Sequence, residues 1–351
     1  MILKLKHVIG ILLVISFSCS SVEKRPEVNN KIETFLFDTP VTKSCHAATL
    51  VEVLPNQLLA AWFGGSYEGA KDVGIYISFF KDRFWTTPRC VVEPLVKGQD
   101  TLPCWNPVLF KSSSNKLYLY YKVGKNPREW FGAMLISIDK GKTWSLPHYL
   151  PEGILGPIKN KPLEITPGVL LCGSSTESIE NNEWRVHVER YTEANKQWER
   201  IPVGNEKGFD VIQPAFLKHS AHAIQMLCRS RHNKIVTTWS EDQGNTWGKL
   251  DSLQVANSNS GIDALTLGEK EFLLVNNPLL QGADWFNGRN VLDVEYSTDG
   301  IQWKTLFDLE NKKEGQFSYP AIIQTSDRKI HILYTYNREN IKHVRFDLTI
   351  K

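Results

Sequence analysis

Arginines at positions 185, 231, 289 and 338, with a lysine at 161, are the side chains of this sequence best suited to holding an anion. A guanidinium fork matches a carboxylate through two parallel hydrogen bonds, so a few placed arginines select an acidic ligand that bulk charge would only attract. In "WRVHVERY", Arg185 alternates with His187 and Glu189, which puts all three on one face of a strand. A charged row of that kind is poor core material and is expected to face a channel. Trp105 in "WNPV" and Trp62 in "WFGG" supply flat apolar faces against which a sugar ring could stack, although tryptophan serves packing equally well.

Other chemistries find little to work with. The histidines lack HxxxH or HExxH spacing and no glycine-rich loop joins a strand to a helix, so neither a cofactor nor a catalytic metal is expected. Cys45, Cys90, Cys104, Cys172 and Cys228 show no CxxC spacing and read as buried thiols, with room for one or two disulfides in an oxidising compartment. The formal net charge is +3 and its cations are scattered, which argues against a nucleic-acid partner.

The first residues form a separate unit. Lys4 and Lys6 precede the apolar run "VIGILLVISF", which ends in the small residues "SCSS". This is the pattern of an export signal, here residues 1–18, and its apolar run is too short to span a bilayer. Cys19 stands where a bacterial lipoprotein carries its lipid, so membrane contact is expected only through that anchor, in the periplasm or at the outer-membrane surface, with plain secretion as the alternative. Residues 19–35 are polar and read as a tether; residues 36–351 are expected to fold as one monomeric domain.

The elements that must position the candidates follow from a repeat. "SIDKGKTW" (137–144) recurs as "SEDQGNTW" (240–247) and, shortened, as "STDGIQW" (297–303), with degenerate copies ending at Trp85 and Trp198. Asp can bond amides across such a turn, Gly takes a positive φ, and Trp packs below, so these are fastening residues. Between them lie short apolar runs rich in β-branched and aromatic residues and no sustained helical stripe. A period near fifty residues in an all-β chain predicts four-stranded propeller blades, and about 310 residues make six of them. The sixth lacks a copy of the turn and is expected to be closed by strands from both ends of the chain.

With "HAATLVEV", "WFGGSYEG", "GPIKNKPL", "WRVHVER" and "FSYPAIIQT", these turns make the chain resemble the sialidase-like, or BNR-repeat, superfamily, and within it the exported proteins of bacterial polysaccharide degraders. The resemblance covers nearly the whole mature chain and implies a six-bladed β-propeller of the sialidase type. It also implies that the Asp-containing turns lie at the blade edges, away from the active site. A sialidase would open its first blade with an F-R-I-P segment whose Arg helps clamp the substrate carboxylate; here the stretch reads "CHAATL", with His46 in that place. By the same resemblance Asp72 stands near the acid/base position, Tyr319 at the nucleophile and Glu177 at its carboxylate partner. Each residue also has an ordinary structural role open to it: His46 as a bonded strand histidine, Asp72 as a turn cap, Tyr319 as packing beside Pro320.

Two reactions suit an acidic sugar in such a pocket. Elimination at a non-reducing-end uronic acid needs a cation on the carboxylate, a His or Tyr base for the C5 proton and an acid for the group leaving C4, and yields a 4,5-unsaturated uronate. His46, Tyr319 and the arginines match that inventory, and at superfamily level the chain is similar to an oligosaccharide dehydratase of ulvan breakdown. Retaining hydrolysis, releasing a terminal acidic sugar, needs the Tyr and Glu pair with Asp72 as acid. A non-catalytic glycan-binding lipoprotein is the third reading.

Overall fold

The computed structural model describes residues 26–204, 208–284 and 286–350. The export signal and Cys19 lie outside the described residues. Among the described residues six antiparallel sheets of four or five strands follow one another along the chain, each with its first strand innermost, and Leu95–Lys97 pairs with Asp100–Leu102 as a separate hairpin. Blades 1 to 5 open with the inner strands Ser44–Leu54, Cys104–Lys111, Leu163–Thr166, Val211–Lys218 and Asp263–Gly268. Blade 6 runs Phe317–Gln324, Ile330–Tyr336, Asn340–Ile350, and its fourth strand is Pro26–Phe35 from the other end of the chain. Residues 26–35 are therefore not tether: their backbone pairs with Asn340–Ile350 and closes the ring.

That closure explains the missing sixth turn. The Asp-containing turns join third to fourth strands, and blade 6 has no such connection to make. In blades 2 and 4 the bonding repeats nearly atom for atom. Ser137 Oγ donates to Asp139 Oδ1 (2.8 Å) and accepts the Gly141 amide (2.8 Å), while Asp139 accepts the Thr143 amide (2.9 Å) and hydroxyl (2.6 Å). Ser240, Asp242, Gly244 and Thr246 repeat the set at 2.8, 2.8, 2.9 and 2.6 Å. These hydrogen bonds hold the carboxyls of Asp139 and Asp242 down to about 2.

Among the described residues the core divides into six apolar clusters, one at each blade junction. The strands are buried on both faces, which is why their sequences run apolar instead of alternating cleanly. The five described cysteines are free thiols, four buried and Cys90 partly so.

Gly244 has φ +84 and lies against Leu171 of the neighbouring blade, where a methyl group would collide. Gly244→Ala is expected to lower the unfolding free energy by about 1–3 kcal/mol, measured by urea denaturation.

Candidate active site

The inner strands of blades 1, 2, 4 and 6 share one irregularity. Each gains a residue against its neighbour: between His46 and Thr49, Trp105 and Val108, Ile212 and Ala215, and Ser318 and Ala321. In each the first residue of the bulge is left-handed: Ala47 (φ 55), Asn106 (φ 37), Gln213 (φ 57) and Tyr319 (φ 54). In three of the four the next residue is proline, which has no N–H to lose from the ladder. A left-handed Asn, Gln or Tyr before proline is costly backbone, of the kind found where a side chain must be aimed.

The aimed side chains meet in one cleft. It is lined by Tyr319, Gln213 and Asn106, by Arg229, Arg289 and Arg338, by the carboxylates Glu68 and Glu177, and by Trp105, Trp130 and Trp184. Glu68, Trp130, Arg289 and Arg338 come from second-to-third-strand connections, and Glu177 and Arg229 from second-strand ends. The Asp-containing turns belong to third-to-fourth connections and, by strand parity, sit at the opposite end of the blades.

Tyr319 Oη receives hydrogen bonds from Gln213 Nε2 and Arg229 Nη1, both at 3.0 Å. Arg229 is fixed by Asn259 Oδ1 (2.8 Å), and Arg289 Nη2 donates to the Asn259 carbonyl (3.1 Å). Burial, and then Arg229, push the Arg289 guanidinium below its usual range. Two buried like charges this close favour an anion between them. Arg338 is held by Glu68 Oε2 at 2.5 Å and by Gln316. Glu177 accepts from Trp184 Nε1 (3.1 Å), and burial raises its pKa against the pull of Arg229.

His46 lies behind this wall. It is 1% exposed, its ring centroid is 4.1 Å from that of Tyr319, and Nδ1 bonds Thr335 Oγ1 at 2.9 Å. Burial first, then Arg338 and Arg289, lower its pKa well below the ordinary value, so the ring is neutral. Nε2 has no hydrogen-bond partner among the described residues.

Beneath the cleft the segment 155–161 fills the space between inner strands. Lys159 Nζ donates to the carbonyls of Pro320 (2.5 Å) and Ile262 (2.8 Å) and to Asn160 Oδ1 (2.9 Å). Asn160 Nδ2 donates to the carbonyls of Gln213 and Pro214, each at 3.1 Å. Gly261 leaves room for this crowd: a methyl there would lie 3.3 Å from Gln213, Lys159 and Tyr319 alike.

A family model described as a BNR repeat-like domain matches residues 56–332 of this propeller. The chain belongs to the BNR repeat-like family. A comparison with curated proteins found no match. Among solved structures the chain is similar to a protein of unknown function from Dyadobacter fermentans (14% identity, TM-score 0.72, covering 93% of this chain and 99% of that one). It is also similar to the NanB sialidase of Streptococcus pneumoniae (12%, TM-score 0.68, 90% and 70%). A Trypanosoma rangeli sialidase mutant with trans-sialidase activity matches at 15%, TM-score 0.69, covering 90% of this chain and 58% of that one. At these identities the likeness is one of fold.

Set on this BNR repeat-like propeller, the sequence candidates divide. Tyr319, Glu177, Arg289, Arg338 and Trp105 line the cleft, with Trp105 oriented by a bond from Nε1 to the Gly124 carbonyl (2.8 Å). Asp72 instead caps its own loop, taking the Ser66 hydroxyl (2.5 Å) and amide (3.0 Å), and these bonds depress its pKa; Glu68 of the same loop reaches the cleft. Lys161 is consumed by Asp263, both oxygens at 2.9 Å, and by the Ala264 carbonyl.

Arg185 is exposed and paired with Glu183 (2.7 Å), so the expected channel-facing row is corrected: His187 and Glu189 are buried and bond each other (2.8 Å). Glu189 also takes the Leu155 and Gly156 amides. Arg231 lies over the Trp184 ring at 4.1 Å and bonds Asn182, supporting the cleft wall from outside. Arg229, two residues earlier and still within the strand Ile224–Ser230, is the one that enters, whereas Arg231 lies just past its end; alternation alone cannot separate the two. Gln213 and Asn106 carried a signal that sequence reasoning did not use, namely X-Pro at matching places in the inner strands.

Burial pushes Lys159 down to about 7, with Asp263 opposing, whereas an unfolded lysine titrates near ~10.4. Between those values the unfolded chain keeps a proton that Lys159 has released, so this residue makes the unfolding free energy rise with pH, until above about 9 the buried thiols, pushed up by burial, oppose it. Lys122, also buried and pushed down to about 7, makes a second such contribution. Lys159→Met is expected to lower the slope of unfolding free energy against pH between about 7 and about 9 and, by stranding carbonyls, to destabilise by about 1–3 kcal/mol. Urea unfolding across that pH range checks both; an unchanged slope would remove the proton assignment.

Proposed function

We propose that the protein is a carbohydrate-active enzyme acting on a non-reducing-end acidic sugar of an oligosaccharide, and that it works by elimination. The observation that carries this is the environment of the Tyr319 oxygen. Its two hydrogen-bond partners, Arg229 and Gln213, are both donors, so the oxygen is held in the cleft as an acceptor by one charged and one neutral N–H group. In the proposed reaction this oxygen takes the proton from the substrate. Among the described residues no carboxylate bonds Tyr319, and Glu177, which a Tyr nucleophile would need as its base, is engaged with Trp184 and has a raised pKa.

In this reading Arg289 and Arg338, with Arg229 beside them, take the C6 carboxylate of a uronic acid and so acidify the C5 proton. Tyr319 accepts that proton, the electron pair forms the C4–C5 double bond, and the C4–O bond breaks. Glu68, beside Arg338 at the cleft, supplies a proton to the departing oxygen, so that a terminal C4 hydroxyl leaves as water. Neutral His46 packs under the Tyr319 ring and acts as a positioning residue. An exported lipoprotein anchored through Cys19, and a uronate-bearing algal polysaccharide such as ulvan as the source of substrate, fit the same reading.

A second reading, exo-acting hydrolysis, is favoured by one observation: compared structures of this fold are named as sialidases. Incubation with uronate-ended oligosaccharides separates the two. Elimination gives an unsaturated-uronate absorbance and a product lighter by one water; hydrolysis gives a free acidic sugar and no absorbance. Tyr319→Phe is expected to reduce turnover by about 10²–10⁴-fold while leaving binding of the acidic oligosaccharide within a few-fold. Undiminished turnover would exclude Tyr319 as the reacting group.

A further inference from the structure

A second cavity, of about 370 Å³, lies between blades 6 and 1. Its lining includes Asp82, Arg83, Asp327, Lys329, His331 and Arg345. These belong to first-to-second and third-to-fourth connections and to adjoining strand ends, so the cavity opens on the face opposite the candidate active site.

A chain of hydrogen bonds runs into it. Trp85 Nε1 donates to His343 Nδ1 at 3.3 Å, and His343 Nε2 lies 2.9 Å from His331 Nδ1. Indole N–H can only donate. His343 Nδ1 is therefore a lone pair and its hydrogen sits on Nε2, where it is donated to His331 Nδ1. The hydrogen of His331 must then be on Nε2, the nitrogen left to the cavity that this ring lines. Both rings are neutral: burial pushes His331 down to about 4 against Asp327, with Arg345 adding to the burial effect, and burial, then His331 and Arg345, hold His343 well below its ordinary value. The relay thus ends in a fixed N–H donor on a side chain 5% exposed.

Arg345 is the cross-strand partner of His331, so both project from the same sheet face. Its guanidinium lies 5.6 Å from the Phe80 ring centroid, and no carboxylate pairs with it among the described residues. Of the two acids in the lining, Asp327 is bonded to Lys329 and Thr325, each at 2.6 Å, and Asp82 is 84% exposed and 4.0 Å from Lys81. A buried directed donor beside an unpaired fork, with the nearby carboxylates spent or turned to solvent, is an acceptor-seeking site.

We propose that this cavity binds an oxyanion, the sulfate or carboxylate group of a glycan chain, between His331 Nε2–H and the Arg345 guanidinium. The protein would then hold an acidic polysaccharide on one face while processing chain ends on the other.

The test is titration of the full mature chain, ¹⁵N-labelled at histidine, with sodium sulfate and with sodium glucuronate at constant ionic strength. A saturable shift of the His331 imidazole resonances is expected. Arg345→Met should weaken it by about tenfold, Arg345→Lys should give an intermediate value, and Arg338→Met in the other cleft should leave it within twofold. Retained glucuronate binding in the cleft certifies that the Arg345 variants are folded. A response to sulfate alone assigns sulfate esters, and a response to glucuronate assigns uronates. Tighter binding of the corresponding tetrasaccharide supports a glycan as the source, whereas equal affinity for the single ion overturns that part. No shift with either anion, or one indifferent to Arg345→Met, overturns the site.

Discussion

One buried lysine sits where four blades must agree. Lys159 projects from the segment before the inner strand of blade 3 and bonds carbonyls of blade 6 and of the approach to blade 5, while Asn160 beside it bonds two carbonyls of blade 4. The carbonyls of blades 4 and 6 exist as orphans because the inner strands bulge there and proline leaves no matching donor. Six sheets around an axis would otherwise leave a hole. Segment 155–161 fills it, itself held by Glu189, by Lys122 through the Pro157 carbonyl and by Lys161 on Asp263. Removing any of these strands buried polar atoms, which costs more than the bond itself is worth.

The bulges and the axial segment together turn a repetitive scaffold into an asymmetric site. Blades 1, 2, 4 and 6 bend at the same level, yet the left-handed residue is Ala in blade 1, Asn in blade 2, Gln in blade 4 and Tyr in blade 6. Three long side chains are thrown into the cleft and one position is left small, which lets the His46 ring lie against Tyr319 instead of entering the cleft. The strain is tolerated because the surrounding bonds over-determine it. Chemistry therefore gathers at one end of the blades, while the serine–aspartate turns fasten the other.

Much of the fold was legible in the sequence because a repeat is a periodic signal. The spacing of Trp144, Trp247 and Trp303 announced blades, and the absence of a sixth turn followed from a strand borrowed from the N-terminal end. The site was legible only in part. Tyr319, Glu177, Arg289, Arg338 and Trp105 line the cleft, whereas Arg231 lies outside it where Arg229 enters, and Asp72 caps a loop from which Glu68 reaches in. Both differences have the same origin. Where a strand ends, as between Arg229 and Arg231, and within a loop, as between Glu68 and Asp72, spacing predicts no shared direction, so only the path of the backbone separates the one that supports from the one that reaches.

What the sequence by itself determined was local and repeated: strand texture, turn chemistry, the number of blades and the set of cations able to hold a carboxylate. Each depends on neighbours within about ten residues or on a period, both of which are written along the chain. What only the tertiary structure decided was which ionisable groups are already spent. Lys161 on Asp263, Arg185 on Glu183 and His187 on Glu189 look as available as Arg229 until the partner is seen. For Lys161 that partner is a hundred residues away, and a charge's role depends on what lies within a few ångströms in space.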